Sequence, residues 1–241
     1  MALSRTDIGL YKSTTSYGTG SFSTGNFTPP ANSLLVITVN MVVATSGDIG
    51  QPTISGGSLT YTYRGQAREQ TSWAHRINLF TAPVGASPAE MAITVDDDNN
   101  QSIYDYVVTV TAFTGYDTST PVAGFVTSDT TSVGDGSETQ TLAATPTTDD
   151  VTLCAYAADC EGNTNPTLEA GWSEIYDDGN SMSAHTTLLR RESSTSTSVT
   201  VTDVFNPDVV GDIFWKTSMF SFIVKAAAAA AGNPYYAYAQ Q

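Results

Sequence analysis

The chain has 241 residues and a formal net charge of −15, from 9 basic and 24 acidic residues, and only 14% of its residues are charged. So acidic a chain lacks the basic footprint that nucleic-acid binding requires, and it is equally unsuited to anionic lipid surfaces. The sequence therefore predicts neither a nucleic-acid partner nor a membrane partner. Its length allows one large or two small β domains with a substantial core.

The first half of the chain is predicted to be a series of β-strands behind an N-terminal arm at residues 1–9. Residues 34–43 are apolar at positions of both parities, which is typical of a central strand covered on both faces. Alternating apolar and polar residues predict further strands at 58–63, 73–79, 91–95 and 106–113. We expect one core in which Leu35, Ile37 and Val39 pack with Ile93, Val95 and Val108.

The second half of the sequence repeats features of the first half in the same order. Residues 18–37 and 134–153 share a Gly-x-Gly-Ser turn, a Ser/Thr-rich strand, a Thr-Pro step and an apolar strand. The later matches are Pro52-Thr53 with Pro166-Thr167, His75 with His185, 93–95 with 199–201, and Phe113 with Ile223. This order indicates an internal duplication with halves at 10–117 and 118–225.

The strand pattern predicts the fold class. Counterpart strands in the second half are expected at 151–157, 168–176, 184–190, 198–202 and 213–224. Nothing between residues 10 and 225 shows helical periodicity, and turn signals separate the short strands. We therefore predict an all-β sandwich or jelly roll built from two duplicated halves.

The C-terminal segment, residues 226–241, differs in composition from the rest of the chain. Six alanines precede Pro234 and three tyrosines, Tyr235, Tyr236 and Tyr238, without any charged side chain. An isolated helix this short is marginal in water, and disordered tails seldom contain so many aromatic residues. The segment is predicted to be either a frayed end or an arm that orders against a neighbouring subunit, with the tyrosines as partner-binding anchors.

The metal candidate is the acidic turn formed by Asp96, Asp97 and Asp98. Calcium prefers several oxygen ligands at once, which this turn supplies. Clusters of Asp and Asn are also common in ordinary hairpin turns, so both interpretations stay open. Apart from calcium at this turn, the sequence predicts no cofactor.

No pattern of catalytic residues stands out, and we expect the protein not to be an enzyme. His75 and His185 match each other through the repeat, which favours a shared structural role. Cys154 and Cys160 are expected to be free thiols, because six extended residues span about 20 Å whereas a disulfide needs Cα atoms within ~7 Å. Neither a nucleophile elbow nor a phosphate-binding loop is present in the sequence.

Four stretches of the chain resemble β-rich structural proteins of tailed bacteriophages. They are Thr-Pro-Pro-Ala-Asn-Ser-Leu-Leu-Val (28–36), Pro-Thr-Ile-Ser-Gly-Gly-Ser-Leu-Thr-Tyr (52–61), Thr-Ala-Pro-Val (81–84) and Phe-Thr-Gly-Tyr-Asp-Thr-Ser-Thr-Pro-Val (113–122). The resemblance covers roughly residues 13–225 and rests on turns and core strands. It implies no catalytic or ligand-binding residue.

The resemblance implies a non-enzymatic virion structural protein, synthesised in the host cytoplasm. We expect a capsid decoration (cement) protein that stabilises a phage particle by contacting the major capsid protein or other virion subunits, and that forms a homo-oligomer. The alternative is a carbohydrate-binding module of a tail fibre or appendage that recognises a host surface glycan. That alternative requires some of the 3 tryptophans and 12 tyrosines to be exposed on one sheet face or at one end.

Overall fold

A computed structural model of the chain describes residues 3–13, 20–43, 50–68, 75–97, 103–130, 137–159, 167–178, 185–202 and 216–228. These residues form sixteen β-strands, and the strand pairs among them are antiparallel. The predicted all-β sandwich class is confirmed. In this part of the chain, no helix is long and apolar enough to cross a membrane.

The first half of the chain forms one five-stranded and one three-stranded sheet. Its strands are β1 (Ser4–Lys12), β2 (Phe22–Ser23), β3 (Ser33–Val43), β4 (Thr53–Ser55), β5 (Thr62–Arg68), β6 (His75–Pro83), β7 (Thr94–Asp96) and β8 (Ile103–Thr114). The first large sheet has the order β1-β8-β3-β6-β5, and the first small sheet has the order β2-β7-β4.

The second half of the chain forms another pair of sheets. Its strands are β9 (Val122–Thr130), β10 (Ser137–Thr141), β11 (Val151–Asp159), β12 (Thr167–Leu168), β13 (Trp172–Asp178), β14 (His185–Glu192), β15 (Ser198–Thr202) and β16 (Lys216–Val224). The second large sheet has the order β13-β14-β11-β16-β9, and the second small sheet has the order β10-β15-β12.

The four sheets stack face to face with three apolar layers between them. The outer layer of the first half joins the first small and first large sheets, and it contains Leu35, Ile37, Val39, Ile93, Val95 and Val108, so the predicted core contacts are confirmed. The middle layer joins the two large sheets through residues such as Leu34 and Leu153. The third layer joins the second large sheet to the second small sheet. The halves are therefore packed as one continuous stack.

Strand β3 shows why this region of the sequence has apolar residues at positions of both parities. Alternate side chains of a strand point to opposite faces, and β3 has an apolar layer on each side. Ile37 and Val39 belong to the outer layer, whereas Leu34 and Val36 belong to the middle layer. All four are buried. The prediction of a central strand covered on both faces is confirmed.

The second half repeats the strand order of the first, since β9 to β16 occupy the sheet positions of β1 to β8. Bulges occur at corresponding places. Ile8 is the extra residue where β1 pairs with β8, and β9 has a bulge between Ala123 and Val126 opposite β16. The β5–β6 pair has a bulge at Arg64, and the β13–β14 pair has one at Ile175. This agreement is what a duplication would produce; the duplication itself stays a prediction.

The pairing registers define which residues of the two halves correspond. Ile37 lies opposite Val110 and Phe80, and Cys154 lies opposite Ser221 and Leu189. When the bulges of the two halves are aligned, each residue of the Ile37 set matches one residue of the Cys154 set. Ile37 therefore occupies the position of Cys154.

This register corrects two of the residue matches made from the sequence. Phe113 corresponds to Val224, not to Ile223, because Phe113 lies in the middle layer and Ile223 in the third layer. His185 pairs with Ala158 and corresponds to Arg76, one residue from His75. The sequence match of His75 with His185 is therefore wrong by one position.

Several predicted boundaries also change. Ser4 to Gly9, expected to lie in an arm, form most of edge strand β1. The strand predicted at 58–63 is β5 at Thr62–Arg68. The single strand predicted at 168–176 is divided by a turn at Ala170–Gly171 into β12 and β13, which belong to different sheets. The sequence therefore does not predict the turn at which the chain passes from one sheet to another.

The two large sheets also meet at their edges. Arg68 in β5 donates its backbone N–H to Asp129 Oδ1 in β9 at 2.7 Å. Gly65 in β5 leaves room for the ring of Phe125 in β9. At the position in β13 that corresponds to Gly65, Tyr176 donates its hydroxyl to the Val110 carbonyl at 2.9 Å. Gly65, which lies beside the ring of Phe125, thus corresponds in the second half to Tyr176, which supplies a large ring itself.

Candidate functional site

The acidic turn predicted to bind calcium is only partly described. Asp96 is the exposed last residue of β7, opposite Thr53, and Asp97 is buried. Asp98 lies outside the described residues. Burial raises the pKa of the nearby Tyr106, and the charges of Asp97 and Asp96 raise it further. Among the described residues, no group of three His, Cys, Asp or Glu side chains is placed to hold a metal, so calcium stays an untested prediction.

The other residues singled out from the sequence do not form a described site. Tyr235, Tyr236 and Tyr238 lie outside the described residues, as does Cys160. Cys154 is a free, fully buried thiol, and this burial raises its pKa to about 12. A thiol that stays protonated is a poor nucleophile. Cys154 is therefore a core residue of the third apolar layer.

A site that the sequence analysis missed lies where the C-terminal segment leaves the stack. Here the carboxylate of Asp150 accepts three hydrogen bonds. The Lys225 ammonium lies 2.5 Å and the Thr147 amide 2.8 Å from Oδ2, and the Ala226 amide lies 2.8 Å from Oδ1. The side chain of Asp150 is 1% exposed. We call Asp150, Lys225 and Ala226 the anchor.

The electrostatics of the anchor keep Asp150 ionised. Burial by itself would raise the pKa of the Asp150 carboxyl. The hydrogen bonds from Lys225 and from the amides of Thr147 and Ala226 outweigh burial, and the pKa is lowered. Charge-assisted hydrogen bonds of this kind are stronger than neutral ones. The anchor is therefore a charged clamp on the first residue of the C-terminal segment.

Local sequence and sheet topology together position the anchor. Asp150 ends a turn in which its amide donates to the Thr147 carbonyl at 3.1 Å, and it immediately precedes β11. Lys225 immediately follows β16, and Val151 is paired with Val224. Residues just outside paired strand ends meet across the ladder, which brings Asp150 and Lys225 together. The sequence does contain a signal, since Lys225 is the one charged side chain after Lys216.

Backbone pairing extends the anchor into the connection between the two halves. Ala227 donates its N–H to the Gly115 carbonyl at 2.8 Å, and Asp117 donates to the Lys225 carbonyl at 2.8 Å. Tyr116 and Ala226 form an antiparallel bridge. The predicted arm at 226–241 therefore begins too early, because residues 226 and 227 are hydrogen-bonded parts of the fold. A pull on the C-terminal segment would be resisted by both halves.

A second polar cluster lies between β9, β10 and β16. The Glu138 carboxylate accepts hydrogen bonds from the hydroxyl of Ser128 and from that of Thr217, the latter at 2.7 Å. Gln140 donates to Ser128 Oγ at 2.7 Å and to the Met219 carbonyl at 2.8 Å. Burial raises the pKa of Glu138, the two hydroxyl hydrogen bonds oppose this, and the charge of Asp129 raises it again. The cluster joins the second large and second small sheets.

Comparisons of the chain with protein-family models, with curated proteins and with solved structures find no match.

Proposed function

We propose that this chain is a non-enzymatic structural protein of a phage virion, and specifically a capsid decoration (cement) protein. The observation that carries the proposal is the anchor, which fixes Ala226 to the stack through the buried carboxylate of Asp150. An anchor on the last strand suits a protein whose C-terminal segment bears load between subunits. The resemblance of the sequence to structural proteins of tailed phages supports the same proposal.

The composition of the chain beyond the anchor suits contact with a partner. Residues 229–241 contain no charged side chain and include Tyr235, Tyr236 and Tyr238. Ordering a chain costs about 1–2 kcal/mol per residue in backbone entropy, and each tyrosine that is buried on a partner can remove about 150–250 Å² from water. Partner contacts can thus offset the cost of ordering. Binding that engages only the folded, assembled state stabilises that state by mass action.

The anchor also gives this hypothesis a mechanical basis. Force applied along the C-terminal segment passes to Asp150 beside β11, to Lys225 at the end of β16, and to the connection between the halves. These strands lie inside the second large sheet, not at its edges. If the C-terminal segment holds a neighbouring subunit, attachment to these interior strands would spread the load over the sheet.

The proposal is tested by removing residues 229–241 and measuring attachment to particles. Virions of the source phage are stripped of the protein, and intact or truncated chain is added back and quantified by co-sedimentation. We expect the truncated chain to bind at least roughly tenfold more weakly, while its thermal unfolding stays unchanged. Truncation after Ala228 is essential, since Ala226 and Ala227 are hydrogen-bonded within the fold.

A matched variant separates the contribution of the tyrosine side chains to binding from the contribution of chain length. Replacing Tyr235, Tyr236 and Tyr238 by serine keeps the length, and we expect it to reproduce most of the loss. Equal decoration by the intact and truncated chains would show that the segment does not hold the protein on the capsid. Failure of both chains to bind particles, together with retained binding to host surface glycans, would overturn the cement proposal in favour of a glycan-binding module.

A further inference from the structure

A row of three polar side chains crosses the second large sheet. Thr152 in β11 lies opposite Arg191 in β14, and Arg191 lies opposite Trp172 in β13. Residues directly opposite one another in antiparallel strands have side chains on the same face. Trp172 belongs to the third apolar layer, so the row faces the second small sheet. We call these three residues the donor row.

The donor row is buried and incompletely hydrogen-bonded. The exposed fractions are 1% for Thr152, 6% for Arg191 and 9% for Trp172. Thr152 Oγ1, Arg191 Nε and Trp172 Nε1 are each buried without a hydrogen-bond partner. Buried polar atoms are nearly always paired with protein or an ordered ligand. In the donor row, three such atoms lie on neighbouring residues of one sheet face.

Arg191 is held in place by a hydrogen bond and a ring contact, but no negatively charged group in the described part of the chain pairs with it. Its Nη2 donates to the Ser196 carbonyl at 2.7 Å, and its guanidinium carbon lies 4.8 Å from the centre of the Trp172 ring. Burial lowers the pKa of Arg191, and the more distant charge of Glu169 opposes this. No carboxylate in the described part of the chain forms an ion pair with Arg191. A buried charge without a counter-charge is costly.

The chemistry of the three atoms determines what the missing partner must be. Arginine Nε and tryptophan Nε1 can only donate, and the threonine hydroxyl can also donate. The partner must be an acceptor, and the charge of Arg191 favours a negative one. We propose that the donor row is a binding site for a small monatomic anion such as chloride.

The surroundings of the donor row suit a small ligand. The connection between β14 and β15 contains the exposed residues Ser193, Thr195 and Ser196, and Ser196 contacts Arg191. Val199 and Val201 of β15 belong to the same apolar layer as Trp172. A bound anion would join three strands of the large sheet to the connection that leads into the small sheet.

The test is thermal unfolding of the full-length protein with chloride titrated against gluconate at constant ionic strength. A specific site gives a saturable rise in Tm, roughly 2–6 °C at ten times the Kd. We expect Arg191→Met to abolish the rise. The matched control is Arg190→Met, because Arg190 is the preceding residue, belongs to the opposite face and forms an ion pair with Glu192; it should keep the full response.

Two milder variants keep the proposal testable if Arg191→Met does not fold. Trp172→Phe keeps the aromatic ring and removes one donor, and Thr152→Val keeps the shape and removes the hydroxyl. Each should weaken chloride binding by about 3–10-fold. A crystal soaked in bromide should show an anomalous peak within hydrogen-bond distance of Arg191 Nε. A chloride response equal in the parent and both variants, or water in place of bromide, would overturn the proposal.

Discussion

Replacement of Gly65 by alanine tests whether the two large sheets pack as described. A Cβ atom at Gly65 would lie 2.3 Å from Cε1 and 2.5 Å from Cζ of Phe125, so the ring has to move. Phe125 is itself packed against Phe220, with ring centres 5.5 Å apart. Overpacking of this kind costs about 1–3 kcal/mol. Gly65 also has φ of +151°, and strain there adds roughly 1–3 kcal/mol.

The assay is urea unfolding of Gly65→Ala, Phe125→Leu and the double variant. We expect Gly65→Ala to lose about 2–6 kcal/mol, and the double variant to lose roughly 1–3 kcal/mol less than the sum of the single changes, because leucine relieves the clash. Gly85→Ala is the control, since a Cβ there meets nothing within 4 Å. A Gly65→Ala loss below about 0.5 kcal/mol, or strictly additive single changes, would refute the packing of β5 against β9.

Three further predictions concern the core and the two carboxylates. Ile37→Ala, at a fully buried site, should cost about 2–5 kcal/mol in urea unfolding, and a loss below ~0.5 kcal/mol would contradict its place in the outer layer. Asp150→Asn should cost about 1–3 kcal/mol at pH 7. The pKa of Asp150 is lowered on folding, so its contribution is present above pH ~4 and should fade as the pH falls through the folded pKa; a loss independent of pH would argue against a charged anchor. The pKa of Glu138 is raised on folding, so its contribution is present at pH values below ~4.3 and is lost as the pH rises through the folded pKa. Glu138→Gln should therefore leave stability unchanged or higher at pH 7 and flatten its dependence between pH 4 and 7; a marked destabilisation at pH 7 would contradict this.

The strands that the sequence predicts best are those buried on one or both faces. Residues 34–43 and 151–157 are apolar at most positions of both parities, and they lie in the central strands β3 and β11. Edge strands leave weaker patterns. The charged residues Arg5 and Asp7 made β1 resemble an arm, and β9 contains Gly124 with φ of +65° at its bulge. Propensity and periodicity identify a strand poorly where charged residues or a glycine interrupt its apolar pattern.

Strand register and polar contacts between residues far apart in the chain could not be predicted from the sequence. The residues matched as Phe113 and Ile223 differ by one position from the observed correspondence, because the register of a strand is set by its pairing partners. The anchor joins Asp150 to Lys225 and Ala226 across more than seventy residues. A turn residue and a single lysine become a pair only once β11 and β16 are known to be neighbours.

Cryo-electron microscopy of the intact particle tests the proposed function most directly. We expect density for four stacked β-sheets repeated over the capsid lattice, with the anchor facing an adjacent subunit and density for residues 229–241 continuing onto that subunit. The fold is large enough for its stacked sheets to be recognised in such a map, since neighbouring sheets lie about 10 Å apart. Density confined to the tail or its fibres, or a particle that lacks the protein altogether, would contradict the assignment as a capsid decoration protein.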